Sequence, residues 1–214
     1  LTLMSGLAVG FARLQGWSSA VEAIAVGSAL SASYLLVLLI VWMASRSRGV
    51  SFSASIGLRP VPLRTLLAWG LGLALAGRFI AAVWGVVLQL FEIELPGADI
   101  DPTRIFGDGV AGIILTVLLG VVLAPIVEEV VFRGVLLPAL SSRLGHWTAT
   151  ALSSAGFAAV HLYAFSIPPI FVLAVLLAVS FIRTRSLWVP IVAHALFNGI
   201  GIGLVYLARG MGVL

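Results

Sequence analysis

The sequence predicts an all-α fold, a polytopic transmembrane helical bundle of about six to eight spans. Three observations carry this. Of the 214 residues, 61% are hydrophobic and only 9% are charged, and mean hydropathy is +1.20, whereas soluble domains are about half apolar and a quarter charged. Apolar runs of ~18 residues or more, enough to cross a ~30 Å hydrocarbon core, follow one another along most of the chain. The charges fall mainly between those runs. A single membrane domain, residues 1–214, accounts for the whole sequence.

Apolar runs bounded by turn and charge signals place spans near residues 18–44, 64–91, 108–138, 148–165, 167–182 and 187–209. The stretch from Leu1 to Phe11 is too short, and lacks the basic flank, to be a signal peptide, so it reads as a trimmed or partial span. Between the first two spans stand Arg46, Arg48, Arg59 and Arg64 with no acid, whereas residues 92–108 hold five acids and one arginine. The positive-inside rule makes the first of these loops cytoplasmic. Alternation then puts Arg143 and the Arg183-Thr184-Arg185 turn on the same side, so three short loops agree on one orientation of a multi-pass cell-membrane protein.

Composition also excludes. The net charge of +4 comes from 12 arginines scattered over short loops, without the clustered basic face that nucleic acid requires, so nucleic acid is not an expected partner. With no cysteine, disulfides, thiolate catalysis and Cys-ligated metals drop out together. No internal repeat is visible, which weighs against a small transporter built from half-repeats. Gly70, Gly72, Gly77, Gly199, Gly201 and Gly203 read as helix-packing positions, and Gly70-x-Gly72 is no dinucleotide fingerprint because no strand precedes it. A Lys-free chain rich in Ala, Gly and Arg suggests a prokaryotic source.

The chemistry lies elsewhere. The run Ala124-Pro125-Ile126-Val127-Glu128-Glu129-Val130-Val131-Phe132-Arg133 puts three charges into an apolar helix, each costing at least ~2.5 kcal/mol on insertion scales. Glu129 and Arg133, four apart, share a face and can neutralise one another. Glu128 points about 100° away, toward a different neighbour, so two adjacent glutamates suggest two jobs. Two further apolar segments each hold an i, i+4 pair, Phe157 with His161 and His194 with Asn198. The second pair can aim two donors at one point, as an oxyanion requires. The bland alternative is a helix-packing network, in a non-catalytic scaffold or peptide-binding protein.

Glu128-Glu129 with Arg133, then Phe157 with His161, then His194 with Asn198, in this order and each in an apolar helix, resemble the motifs of the CPBP intramembrane peptidases, the CAAX protease and bacteriocin-processing (Abi) family. The resemblance covers about residues 108–209. It implies an endopeptidase acting on a peptide or protein substrate in or at the bilayer, in which Glu128 is the base for a water that His161 helps to hold. His194 and Asn198 would stabilise the oxyanion, while Glu129, Arg133 and Phe157 give structural support. A carboxylate removed from water is a stronger base, which is compatible with this role. Whether the substrate is lipid-modified or C-terminal does not follow from the resemblance, nor does immunity rather than cleavage.

The family is often called metallopeptidase, and Glu128, His161 and His194 are the candidate ligands of a divalent metal such as zinc. The zincin spacing His-Glu-x-x-His is absent, and a metal-free, glutamate-activated water is the equal alternative. No Gly-x-Ser-x-Gly element supports a serine mechanism, and Asp108 has no second intramembrane aspartate to form a dyad. His146, beside Arg143 and Trp147, reads as interfacial. Arg78, in the middle of its span, needs a partner, either at the site or in a structural pair with Glu22 or a glutamate of the motif helix.

Depth counting leaves one conflict. At about 1.5 Å per residue from the cytoplasmic ends, His194 lies roughly 10 Å in and His161 roughly 20 Å in. The same count from Asp108 drops Glu128 close to the cytoplasmic surface, so either Pro125 breaks the helix or the segment starts outside the bilayer.

Overall fold

The computed structural model describes residues 19–93, 103–107, 109–161 and 164–213. The N-terminal stretch before Ser19, most of the acidic loop, Asp108 and the side chain of Glu22 lie outside the described residues. Helix α1 (Ser19–Ser47) leads through the short α2 (Phe52–Ser55) into α3 (Leu63–Leu90). After α4 (Thr103–Phe106) comes the 35-residue α5 (Val110–Leu144), then α6 (His146–Ala159), α7 (Ile167–Thr184) and α8 (Trp188–Gly210). Five of these, α1, α3, α5, α7 and α8, are long and apolar enough to cross a membrane. The chain is a helical membrane bundle.

Outward faces are as apolar as the core, as lipid contact requires. Leu67, Leu71, Leu75 and Phe79 form an exposed stripe at every fourth position of α3. The opposite face of α3 carries Gly70, Leu73, Ala74 and Gly77, all buried against α7 and α8. A Cβ at Gly77 would stand 2.9 Å from Leu173 Cδ1 and 3.0 Å from Phe197 Cδ2, and one at Gly70 would stand 2.9 Å from Val192 Cγ1. Small residues there let backbones approach where no hydrophobic driving force separates helix from lipid. Leu73, Leu173, Leu177 and Ala193 fill the seam between these three helices. Tyr34, Leu119 and Val127 join α1 to α5.

The expected span at 148–165 is corrected. Helix α6 has 14 residues, about 21 Å, and cannot cross a ~30 Å core alone. Pro138 predicts the end of the preceding span, but α5 runs through that proline to Leu144. What looked like the next span is a short arm, rich in Thr and Ser on its buried side at Thr150, Ser153 and Ser154. It packs back against α5 and α7.

Neither does Pro125 break α5. Glu128 stands 18 residues after Val110 and 16 before Leu144, near the middle of a helix about 52 Å long that must project beyond the hydrocarbon or tilt. Glu128 is therefore central in α5, and the depth conflict came from counting from Asp108 as if the helix began at the edge of the hydrocarbon, which a 35-residue helix overruns. His161 follows the end of α6, 15 residues or about 22 Å beyond His146, level with Glu128 counted from the same end. The three arginine-bearing loops do gather at one end of the bundle. Leu187 N donates to Gly57 O at 2.8 Å, and Ser186 Oγ donates to Arg59 O at 2.5 Å.

Close approach at Gly77 yields a paired test. Gly77→Val should lower the thermal midpoint in detergent by the equivalent of about 1–3 kcal/mol through overpacking. Gly72→Val, where a Cβ meets nothing within 4 Å, should leave the midpoint nearly unchanged.

Candidate active site

The site is built on α5, whose backbone departs from α-helix twice. Val117–Leu123 and Val130–Leu136 are π-helical, and each stretch is followed within two residues by a proline, Pro125 or Pro138. Proline has no N–H and its ring normally clashes with the carbonyl four residues back. In the wider turns Ala124 N reaches Leu119 O and Leu137 N reaches Phe132 O, five residues back. By that register the next donor, for Gly120 O, would be the N–H that Pro125 lacks. Asn198 on α8 supplies it instead, donating from Nδ2 at 2.9 Å. The helix thus passes its proline with that buried carbonyl satisfied.

Beyond Pro125 the two glutamates diverge, as their spacing predicts. Glu129 is fully buried, and its Oε1 accepts both Arg133 Nη1 at 2.9 Å and His194 Nδ1 at 3.0 Å. Arg133, also buried, donates from Nη2 to Ala174 O on α7 at 2.9 Å. Because an ionised carboxylate only accepts, His194 Nδ1 carries the proton of that bond. The other ring nitrogen, Nε2, is thereby turned toward Glu128, 3.9 Å from its Oε2. That distance is too long for a direct hydrogen bond.

Glu128 is slightly exposed, its side chain 12% accessible against 0% for Glu129. It lines a cavity of about 230 Å³ together with His161, between apolar walls that include Val37 of α1, Val131, Phe132 and Val160. His161 donates from Nδ1 to Phe157 O at 2.8 Å, since a carbonyl can only accept, and this leaves Nε2 free for the cavity contents. Phe157 separates the two histidines. Its buried ring lies 4.9 Å from that of His161 and 5.7 Å from that of His194, with the Arg133 guanidinium 4.4 Å from its centroid. Ser153 Oγ donates to Phe132 O at 3.1 Å and ties α6 to the second π-helical stretch.

Six of the motif residues, Glu128, Glu129, Arg133, Phe157, His161 and His194, are thus brought together. Asn198, one turn beyond His194 on α8, donates to Gly120 O, and one of its two amide hydrogens is committed there. Among the described residues no three His, Asp or Glu side chains stand grouped as ready-made metal ligands. Of the alternatives open for Arg78, a pair with a glutamate of the motif helix is not the one the structure shows. The Arg78 guanidinium lies 3.5 Å from the Phe197 ring centroid, packed where Gly201 leaves room, so an aromatic face balances part of the charge. Sequence reasoning did not foresee Ala174 O, Gly120 O or Val37. A carbonyl five residues before a helical proline was the available signal for Gly120; backbone and valine contacts leave none.

Residues 110–200, which include all seven motif positions, match the family described as Rce1-like, type II CAAX prenyl endopeptidases. A Bacillus subtilis (strain 168) protein named "Putative membrane peptidase YdiL" is 29% identical over 150 residues, covering 66% of this chain and 62% of the relative. An Escherichia coli protein named "Uncharacterized 24.3 kDa protein" is 30% identical over 126 residues, 56% of this chain and 58% of the relative. The chain therefore spans about three fifths of the length of these curated relatives. No solved structure matches.

Two substitutions probe this architecture. Arg133→Ala leaves Glu129 buried without its main counter-charge and should cost about 3–5 kcal/mol of stability. Adding Glu129→Gln should recover part of the loss, as read by thermal unfolding in detergent. Asn198→Asp removes the donor to Gly120 O while keeping shape, and should cost about 1–3 kcal/mol. An unfolding midpoint equal to wild type would show that this bond does not hold the π-helical turn.

Proposed function

We propose that this chain is a membrane protease of the CPBP type, a reading that its likeness over residues 110–200 supports, and that it hydrolyses peptide bonds with a water activated by Glu128. What supports the reading above all is that Glu128 and His161 line one cavity while His194 Nε2 faces Glu128 from 3.9 Å. The water, held between Glu128 and His161 Nε2, gives a proton to Glu128 as its oxygen attacks the scissile carbonyl carbon. The carbonyl electron pair moves onto oxygen, where His194 and the second N–H of Asn198 stabilise the negative charge. Since His194 Nδ1–H is committed to Glu129, donation from Nε2 requires the doubly protonated ring. Collapse re-forms the carbonyl and breaks the C–N bond. Glu128 returns its proton to the departing amine.

Glu129 and Arg133 act one step removed, by fixing the orientation of His194. The apolar cavity walls favour an apolar substrate side chain beside the cleaved bond. By the distribution of arginines, the site opens toward the cytoplasmic half of the membrane. If a divalent metal took part, Glu128, His161 and His194 would be the side chains that move to hold it, and it would supply an acidified water.

The test is cleavage of a peptide library by the detergent-purified protein, read by mass spectrometry. Glu128→Gln should lower turnover by roughly 10²–10⁴-fold, and His194→Ala by about 10²–10³-fold. Unchanged cleavage in Glu128→Gln and His161→Ala would overturn the mechanism. Activity should survive dialysis against a chelator; loss that zinc restores would replace the carboxylate-activated water with a metal-bound one.

A further inference from the structure

A second cavity is larger than the one holding Glu128. It measures about 430 Å³ and opens at the end of the bundle where the arginine-bearing loops meet. Its polar lining is Arg59, Ser141, His146 and Arg185, over an apolar floor that includes Leu137 and Phe181. An adjoining groove of about 160 Å³ shares His146 and Ile182 with it and continues along Trp147, Val179 and Arg183. Cationic cavity and apolar groove thus form one continuous surface, with the Trp147 side chain 76% exposed at its edge.

Among the described residues the cations here lack counter-charges. Among the described side chains the only carboxylates are Glu92, at the opposite end after α3, and Glu128 and Glu129 in the core. No described carboxylate pairs with Arg59 or Arg185. Arg46, Arg48, Arg64, Arg143 and Arg183 add charge of the same sign on this face.

The two arginine loops are also fixed to each other. Leu187 N donates to Gly57 O and Ser186 Oγ to Arg59 O. Arg185 itself sits in the left-handed region at φ 53°, a conformation that glycine would adopt at lower cost. Keeping arginine there sets its side chain at the cavity rim.

We propose that this surface is a binding site for an anionic phospholipid, with the phosphate between Arg59 and Arg185, assisted by His146 and Ser141, and an acyl chain along Trp147, Val179 and Ile182. The phosphate diester supplies the missing negative charge, and a basic pocket between helices at the membrane surface is suited to such head groups. A lipid is favoured over a free anion because the cationic cavity runs into an apolar groove beside an exposed tryptophan, where head group and chain of one molecule are covered together.

The site can be tested on the whole protein by thermal unfolding in detergent micelles doped with phosphatidylglycerol or phosphatidylcholine. Phosphatidylglycerol should raise the midpoint and phosphatidylcholine should not. In Arg59→Gln/Arg185→Gln the half-saturating phosphatidylglycerol concentration should rise roughly tenfold or more, while Arg46→Gln/Arg48→Gln, on the same face but outside the cavity, should behave as wild type. Should the first double variant fail to fold, Ser141→Leu, which fills the cavity from α5, should give the same loss. Equal weakening by the two arginine pairs would overturn the proposal in favour of a diffuse surface field. Equal stabilisation by glycerol phosphate alone would also overturn it, since the ligand would then be a small anion.

Discussion

One buried carboxylate oxygen organises this bundle. Oε1 of Glu129 takes a hydrogen bond from Arg133 on its own helix and another from His194 on α8, while Arg133 continues to the Ala174 carbonyl on α7 and lies over the Phe157 ring of α6. Four helices are therefore tied through one charge. Removing such a pair from water is expensive, and the attraction offsets it only when the geometry is good and further hydrogen bonds are made. On the guanidinium side Nη1 and Nη2 are both bound and the aromatic face lies against the group, while the buried Nε has no hydrogen-bond partner.

That constraint decides what its neighbour can do. With Nδ1–H fixed on Glu129, His194 has one remaining nitrogen, and it points toward Glu128. Glu128 escapes the same fate because helical geometry turns it away from Arg133 and into a cavity with His161. Two identical residues, adjacent in sequence, thus differ in burial and in partners. A buried carboxylate bound by Arg133 and His194 is a poor base; one beside a water-sized space can take a proton. In the mechanism proposed, Glu129 makes Glu128 usable by setting the ring between them.

Much of this was legible in the sequence, and the exceptions share a cause. Periodicity and charge spacing suffice for the membrane class, the Glu129–Arg133 pair and the gathering of the arginine loops, because these depend on local rules. They fail at Pro138, where the local rule says stop and the helix continues. A wider turn absorbs the missing N–H there, and a segment that looked like a full span is a 14-residue arm as a result. They give no sign that Asn198 also satisfies Gly120 O, orphaned by Pro125 on another helix. Tertiary contacts between backbone and side chain leave no periodic trace. Arg78 resting on Phe197 is a third case, since a search for a charged partner cannot find an aromatic one.

The same π-helical turns connect the fold to the chemistry. A straight α-helix without Pro125 would leave Gly120 O to its own backbone. With a proline just beyond the first widened turn, α5 presents Gly120 O to Asn198, while Phe132 O, already held by Leu137 N, accepts Ser153 Oγ as a second donor, one on either side of Glu128. The motif helix is therefore gripped by two neighbouring helices through its irregularities, and the grip falls about one to two turns from the glutamates rather than on them. Asn198 bound in this way retains a second N–H, held in a fixed plane. An amide whose orientation is already set loses little further freedom when a negative oxygen develops beside it, and such preorganisation is what makes a hydrogen-bond donor effective in a transition state.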